Sequence, residues 1–271
     1  MESAPNTAAP SADLLSDAEP LAIEARPELT GGRRIGVLLS HGFTGQPASM
    51  KPWARALADE GYGVIVPRLP GHGTRWQDLN RTTYDDWYGE AARAFDHLCL
   101  SHDAVVVAGL SMGGSLVLRL AEEHPDRVSG VMLVNPGVAT KRFDVKLLPV
   151  MKHLVPAFPG IAGDIKKPGV QERGYTRTPL RAAHSMMVGW RSVVANLSSV
   201  TAPVIYFRSR IDHVVDGLSE VVIEKGISSI DFEMVHLEDS YHVATLDNDL
   251  PRIIQSSLDF LARVTAVAPA P

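Results

Sequence analysis

The five residues at positions 109–113, GLSMG, form the short motif in this chain with the clearest chemical meaning. A Gly-x-Ser-x-Gly segment between a strand and a helix is typical of a nucleophile elbow, a sharp turn that exposes the serine. An apolar run, Val105–Ala108, precedes the motif, and a helical pattern over Met112–Glu123 follows it. The motif therefore predicts that Ser111 is a nucleophile; a serine that only caps an ordinary helix is the alternative.

A serine hydroxyl needs a histidine base, and that histidine needs a carboxylate to orient it. In strand–elbow–helix proteins of this kind the chain order is serine, acid, histidine. Asp212 comes shortly after the apolar run Val204–Arg208, and His242 lies in the loop after the predicted strand Ile230–Val235. The pattern therefore favours Asp212 as the acid and His242 as the base.

Neighbouring residues of the same types remain as alternatives. Asp216 could be the acid, although it stands at the predicted start of a helix, where aspartate is a good cap. His236 closes the last predicted strand and could be the base, and His213 adjoins Asp212.

The chemistry also needs two N–H groups that stabilise a negatively charged oxygen. One should come from the residue after the nucleophile, Met112, and the other from the loop after the first core strand. That loop reads HGFTG at positions 41–45, where Gly42 allows the backbone to turn and Phe43 is placed to donate its N–H. Taken alone, the loop could equally be a plain turn at the end of a strand.

Short apolar strands alternate with helical patterns along most of the chain, which predicts a parallel sheet buried on both faces. The predicted strands are 35–40, 64–67, 105–108, 131–135, 204–208 and 230–235, and the predicted helices are 48–60, 84–100, 112–123, 218–225 and 250–264. The alternation stops over 138–200, where helices are predicted near 144–155 and 179–196 and no central strand is evident. An insertion at this edge of a parallel sheet lies over the crevice where such folds bind ligands.

Composition excludes several classes of protein. The 271 residues have a net charge of −5, so there is no basic excess for a nucleic-acid backbone. No apolar run approaches the ~18 residues of a membrane-spanning helix. A single cysteine, Cys99, excludes an intramolecular disulfide and a multi-cysteine metal site. Six acids and one base over 1–30 account for the whole net charge. This segment is expected to be a disordered tail, with a bound arm as the alternative, and 266–271 is expected to be a second disordered end.

Several motifs, in this order and spacing, resemble the α/β-hydrolase superfamily, and within it small bacterial carboxylesterases and monoacylglycerol lipases. They are LSHGFTG at 39–45, GY at 61–62, PRLPGHG at 67–73, DDW at 85–87, GLSMGG at 109–114, APV at 202–204, Asp212, and YHVATLD at 241–247. The resemblance implies the same assignments as the residues do: Ser111, Asp212 and His242 for catalysis, and Phe43 and Met112 for the oxyanion hole.

The resemblance also implies that 138–200 form a small cap over an acyl pocket, and the predicted reaction implies no metal or organic cofactor. The expected segments are a disordered acidic tail, a first core part, a cap, a second core part and a C-terminal tail, at 1–30, 31–137, 138–200, 201–265 and 266–271. Apolar cap residues could form an acyl-binding wall or could simply pack the cap onto the core. The candidates are Met151, Phe158, Met187 and Trp190.

The sequence therefore predicts a serine carboxylic-ester hydrolase that forms an acyl-enzyme on esters of a medium or long acyl chain with a small alcohol. Its partner would be a small-molecule ester or lipid, with no nucleic acid and no membrane span, and its expected location is the cytoplasm. A thioesterase, an acyltransferase, another hydrolase using the same three residues, and a non-catalytic binding protein are the alternatives. A lipase that acts at a membrane surface would need an amphipathic anchor, and the sequence pattern offers none that is clear.

Overall fold

The computed structural model describes residues 14–160 and 163–266. In this part of the chain the central sheet consists of β1 (Leu21–Ile23), β2 (Ile35–Ser40), β3 (Gly63–Val66), β4 (Ala104–Leu110), β5 (Val128–Val134), β8 (Val204–Ser209) and β9 (Phe232–Leu237). A separate two-stranded hairpin pairs β6 (Ala157–Pro159) with β7 (Arg177–Pro179). The helices are α1 (Lys51–Asp59), α2 (Trp76–Leu79), α3 (Tyr84–Ser101), α4 (Met112–Glu123), α5 (Leu148–Leu154), α6 (Leu180–Asn196), α7 (Leu218–Gly226) and α8 (Leu250–Val264).

The central sheet has the strand order β1-β3-β2-β4-β5-β8-β9 and is parallel except at β1. Successive residues of β4 pack into two different apolar clusters, Val105 and Val107 on one face and Val106 and Ala108 on the other. Helices α3 and α4 cover the first face, and α1 and α8 cover the second. Burial on both faces explains the continuous apolar strands, and the predicted α/β-hydrolase fold is confirmed.

Helix α3 shows how the sequence specifies an element locally. Its side chains Trp87, Ala91, Phe95 and Leu98 follow one another at steps of four, four and three residues, so they share one face, and all four are buried in the core. At its start the side chain of Thr83 accepts a hydrogen bond from the N–H of residue 86, and the residue 86 carboxylate accepts one from the N–H of Thr83. This capping box satisfies N–H groups that a helix start leaves free.

The structure differs from the predicted disordered tail over 14–30. Leu21–Ile23 pair with Val64–Val66 as an antiparallel edge strand, and the ammonium of Lys51 donates to the carbonyl oxygen of Asp17 at 2.9 Å. Three residues are too few to show a hydrophobic period, so this strand depends on its partner rather than on its own sequence. Residues 1–13 and 267–271, which complete the two predicted tails, lie outside the described residues.

Residues 138–200 contribute no strand to the central sheet within their described part, as expected. A 3-10 turn, Asp144–Leu147, runs into α5, and α6 occupies the second predicted helix. The hairpin β6–β7 was not predicted, because each of its strands has three residues and contains a proline. Among the described residues, the helices are all too short or too polar to cross a membrane.

Candidate active site

Ser111 lies at the turn between β4 and α4, with φ +55° and ψ −118°. This backbone conformation is rare for a residue with a side chain and costs about 1–3 kcal/mol. A Cβ atom at Gly109 would lie 2.3 Å from the carbonyl carbon of Gly113, and one at Gly113 would lie 2.2 Å from the carbonyl oxygen of Ser40. Both glycines are therefore required for the tight turn that presents the serine.

The carboxylate of Asp212 and the imidazole of His242 face each other at the carboxyl edge of the sheet. The His242 Nδ1–H donates to Oδ2 of Asp212 at 3.0 Å. The other oxygen, Oδ1, accepts from the backbone N–H groups of Val214 at 2.9 Å and Val215 at 2.8 Å. The guanidinium of Arg208 donates to Oδ2 at 2.8 Å. The arrangement fixes both the carboxylate and the tautomer of His242.

The side chain of Asp212 is completely buried, and yet its environment keeps it ionised. Burial by itself raises the pKa of this carboxyl. The hydrogen bond and charge of His242, with the N–H groups of Val215 and Val214, outweigh that effect and bring the pKa below its usual value. A carboxylate that stays charged can stabilise an imidazolium beside it.

Ser111 and His242 line one cavity of about 430 Å³. This volume lies within the ~300–1,000 Å³ range of sites for small organic ligands. Four residues predicted to bind substrate also line it: Met151, Phe158, Met187 and Trp190. These four residues come from α5, β6 and α6, and the fold brings all of them to the wall of this one cavity.

The loop after β2 lies directly against the elbow. A Cβ atom on Gly42 would be 3.2 Å from the Cβ of Ser111, so glycine allows the close approach. Within the described residues, the backbone N–H groups of Phe43 and Met112 donate no hydrogen bond to another protein group. Phe43 lines the cavity, whereas the side chain of Met112 is buried in the core.

The buried side chain of His41 holds the 41–45 loop in place. Its ring Nε2 accepts from the N–H of Leu69 at 3.3 Å, and Nδ1–H donates to the carbonyl oxygen of Gly42 at 3.0 Å. Burial lowers its pKa to about 4, against the raising effect of the Gly42 hydrogen bond and with a small contribution from the charge of Arg68. His41 is therefore neutral near pH 7, as its two hydrogen bonds require.

The alternative residues have other roles in the structure. The carboxylate of Asp216 accepts from the N–H groups of Lys141 at 2.7 Å and Leu218 at 2.9 Å, so it holds the start of α7. His213 pairs through Nδ1 with Asp164 at 2.7 Å. His236 lies on β9 and does not line the cavity. Among the described residues, only Asp212 brings a carboxylate to the ring of His242.

Asn135, at the end of β5, was not identified from the sequence. Its φ is +43°, and its amide donates to the carbonyl oxygen of His242 at 2.9 Å while its side-chain oxygen accepts from the N–H of Ser209 at 2.9 Å. It therefore joins the strand that leads to Asp212 to the loop that carries His242. The available signal was an asparagine directly after a buried strand at the carboxyl edge.

Two acids from the 138–200 segment also reach the site. Asp164 Oδ2 accepts from the backbone N–H of His242 at 3.2 Å. Glu172 lines the cavity, and burial raises its pKa although the charge of His242 and the N–H of Gly163 act in the opposite direction. Nothing in the local sequence around either acid indicates where it would lie, because the segment has no regular period.

A comparison with known families decides where the chain belongs. The family described as serine aminopeptidase, S33, matches residues 32–249, which is most of the chain. The chain belongs to this family.

Two relatives of this S33 chain have names that refer to esters or lipids. It is 41% identical to a thermostable monoacylglycerol lipase of Bacillus sp. (strain H-257), over 92% of this chain and 96% of the relative. It is 24% identical to a carboxylesterase of Bacillus subtilis (strain 168), over 89% and 98% respectively.

One solved structure has both a similar fold and a similar sequence. A metagenome-derived lipolytic enzyme, from a study of LipS and LipT, superimposes with a TM-score of 0.87 at 38% identity. The match covers 92% of this chain and 99% of that one. Together with the family, these similarities identify the protein as a serine hydrolase that acts on ester bonds.

Proposed function

We propose that the protein hydrolyses monoacylglycerols, esters of one fatty acid with glycerol, through an acyl-enzyme on Ser111. The observation that carries the proposal is the cavity, whose lining combines an apolar wall with two acidic side chains, Asp164 and Glu172, beside Ser111 and His242. The 41% identity to a monoacylglycerol lipase, over nearly the full length of both chains, supports this substrate class.

In the proposed reaction the Oγ of Ser111 attacks the ester carbonyl carbon as His242 Nε2 takes the hydroxyl proton. Asp212 keeps Nδ1 protonated and stabilises the imidazolium. The free N–H groups of Phe43 and Met112 would bind the oxyanion, where one such donor is typically worth about 10²–10³ in turnover. His242 then gives its proton to the leaving glycerol oxygen. Water attacks the acyl-enzyme with His242 again as the base, and the fatty acid is released.

The wall of the cavity suits the acyl chain. Met151, Met187, Phe158 and Trp190 provide flexible and aromatic apolar surface, and methionine adapts readily to a flexible chain. We propose that residues 138–200, which supply these side chains, form a cap on a core made of 31–137 and 201–265.

A second group of lining residues suits a small polyol. Glu172 and Asp164 are acids, and Thr44 carries a hydroxyl. Burial shifts the carboxyl of Glu172 toward its neutral form, in which it can both donate to and accept from a hydroxyl. A glycerol group has hydroxyls to satisfy such atoms, whereas a simple alkyl alcohol has none left after ester formation.

The first experiment is hydrolysis of p-nitrophenyl esters from acetyl to palmitoyl and of a monoacylglycerol, with Ser111→Ala as the paired variant. We expect the alanine variant to lose about 10⁶-fold in kcat, the loss seen when a triad serine is removed. A preference for the monoacylglycerol over an alkyl ester of the same acid would support the glycerol assignment. Equal rates on both would contradict it.

Other acyl chemistries are separated by the same panel. An acyl thioester tests a thioesterase, glycerol added as an acceptor tests acyl transfer, and an aminoacyl p-nitroanilide tests the activity in the family's name. Labelling of wild type but not Ser111→Ala by a fluorophosphonate would show an activated serine. A folded protein that neither takes the label nor hydrolyses any acyl compound would contradict catalysis and favour a binding role.

Cys99 is the only cysteine, so the fold needs no oxidising compartment. On this basis we also propose a cytoplasmic location, which fractionation of the source cells would test.

A further inference from the structure

The N–H of Phe43 belongs to a short chain of hydrogen-bonded peptide groups. It shares a planar trans peptide with the carbonyl of Gly42, so these two groups point in opposite directions. The Gly42 oxygen accepts from the N–H of Gly45 at 3.2 Å, and that N–H shares its own peptide with the carbonyl of Thr44. The direction of the Phe43 N–H therefore depends on what holds the carbonyl of Thr44.

A residue of the 138–200 segment holds the outer end of this chain. The backbone N–H of Tyr175 donates to the carbonyl oxygen of Thr44 at 3.0 Å. Gly174 allows the two segments to approach closely, because a Cβ atom there would lie 3.1 Å from the same oxygen. Two successive hydrogen bonds thus connect Tyr175 to the peptide that carries the N–H of Phe43.

The turn that contains Thr44 is strained and needs support from outside. Gly42 and Gly45 close a four-residue turn in which Thr44 is the third residue and has φ +63°. A positive φ at this position is typical of a type II turn, which favours glycine or asparagine there. Threonine is β-branched, so the conformation persists only where surrounding contacts impose it.

The side chain of Tyr175 fastens its backbone to a second loop of the core. Its hydroxyl donates to the carbonyl oxygen of Gly71 at 2.8 Å and accepts from the N–H of Thr74 at 2.9 Å. Only 7% of Tyr175 is exposed, so these bonds are shielded from water. The hydroxyl therefore determines where the N–H of the same residue meets Thr44.

The same core loop also supports the start of the 41–45 loop. The ring of His41 accepts from the N–H of Leu69 at 3.3 Å. Residues 69–74 consequently support the 41–45 loop at its start through His41 and at its end through Tyr175. Removing one support leaves the other, which limits the loss expected from either.

We propose that Tyr175 is a positioning residue for the oxyanion hole. Its N–H and hydroxyl hold the peptides of the 41–45 loop in the orientation that directs the N–H of Phe43 at the oxyanion. The peptides are hydrogen-bonded head to tail, so each polarises the next and strengthens the final donor. Tyr175 does not line the cavity, so it acts through the loop. The inference rests on the proposed function, because it requires an oxyanion on the adduct with Ser111.

Tyr175→Phe keeps the ring and removes the hydroxyl. We expect kcat on a soluble p-nitrophenyl ester to fall about tenfold, less than the ~10²–10³ lost with a whole oxyanion donor, because the backbone N–H remains. KM should change less than about twofold, since the oxyanion exists only after the substrate has bound.

Inhibitors separate positioning from a general structural role. An alkyl trifluoromethyl ketone forms an adduct with Ser111 that places an oxyanion in the hole. Its inhibition constant should rise in Tyr175→Phe by the same factor as kcat falls. A fatty alcohol of the same length binds without reacting and should inhibit both proteins equally. Equal weakening of both inhibitors would indicate a deformed cavity and overturn the proposal.

Tyr88→Phe is the matched control. Tyr88 is 8% exposed, and its hydroxyl donates to the carboxylate of Glu123 at 2.5 Å where α3 meets α4. The variant loses a comparable hydrogen bond and should keep wild-type kcat and ketone affinity. If both variants lost activity in proportion to their loss of stability, the proposal would be overturned.

Thr44→Gly tests the route through the strained turn. Glycine adopts a positive φ readily, so the turn depends less on outside support. In the Thr44→Gly background, Tyr175→Phe should lower kcat less than about threefold, because two residues that act through one contact are not additive. The full tenfold loss in that background, or wild-type kcat and ketone affinity in Tyr175→Phe alone, would overturn the proposal.

The soluble ester separates this inference from the proposed substrate. A wild type that hydrolyses the p-nitrophenyl ester but no monoacylglycerol would contradict the proposed function alone. A wild type that hydrolyses no ester and binds no ketone would overturn both proposals.

Discussion

Asp212 occupies a position that four donors define together. His242 and Arg208 donate to one oxygen, and the N–H groups of Val214 and Val215 donate to the other. Every donor requires an acceptor, so a side chain of the same shape with an N–H₂ group cannot satisfy all four. The site therefore depends on the charge of this residue as well as on its shape.

Asp212→Asn should lower kcat by about 10⁴-fold, because the amide nitrogen would face Nδ1 and force the wrong tautomer of His242. The matched variant is Asp216→Asn, which alters the other candidate acid in the same loop. We expect it to reduce stability at the start of α7 and to leave kcat within a few-fold of wild type. Steady-state kinetics on a soluble ester, with circular dichroism to confirm folding, would measure both. A larger loss for Asp216→Asn would reverse the assignment.

A short loop of the proposed cap, residues 163–167, is hydrogen-bonded to the loop that carries His242. Asp164 accepts from the N–H of His242, and its carbonyl oxygen accepts from Val243 at 3.1 Å. The N–H groups of Lys166 and Lys167 donate to the carboxylate of Asp247, which lies five residues beyond His242. A displacement of residues 163–167 would consequently displace His242 as well.

Asp164→Ala should lower kcat by about 10–100-fold on a soluble ester while changing KM less, because a small displacement of a base is costly even when binding persists. Asp164→Asn keeps an oxygen for the N–H of His242 and should restore most of the activity. His213→Ala removes the imidazole that hydrogen-bonds to Asp164 and keeps the bond from the N–H of His242, so it serves as the control. Full kcat in the alanine variant would show that Asp164 does not position the base.

The stability of the whole molecule depends on how burial changes the pKa values of its carboxyl groups. Two adjacent glutamates at the end of α4 show opposite changes. Glu123 accepts from the hydroxyl of Tyr88 at 2.5 Å and from Arg119 at 2.8 Å, and these bonds outweigh burial and lower its pKa. Glu122 has a buried oxygen with no hydrogen-bond partner in the part of the chain described. Burial, and then the charge of Glu123, raise its pKa to about 8 despite Arg119.

This difference predicts opposite effects on global stability. Because the pKa of Glu122 is higher in the folded protein, the folded state binds more protons than the unfolded chain between about pH 4.5 and pH 8, and stability falls as pH rises through that window. Glu122→Gln should therefore match wild type near pH 4.5 and exceed it at pH 8.

Glu123→Gln should instead be less stable than wild type at pH 8, since a lowered pKa contributes stability above the unfolded value. Urea unfolding at a series of pH values would measure both differences. A Glu122→Gln variant that is no more stable than wild type at pH 8 would contradict the raised pKa.

Features that depend on local chemistry could be predicted from the sequence. Continuous apolar strands, the stripe and capping box of α3, and the glycines at 109 and 113 depend on neighbouring residues along the chain, so the fold and the position of Ser111 could be read directly. Other features depend on contacts between residues that are distant along the chain, so they follow only from the folded protein. The fold pairs β1 with β3, brings Asp212 rather than Asp216 to His242, and places Asn135, Asp164 and Glu172 at the site. It also turns an apolar stripe of α5 toward solvent, because a helix with two apolar faces does not specify which of them the core will bury.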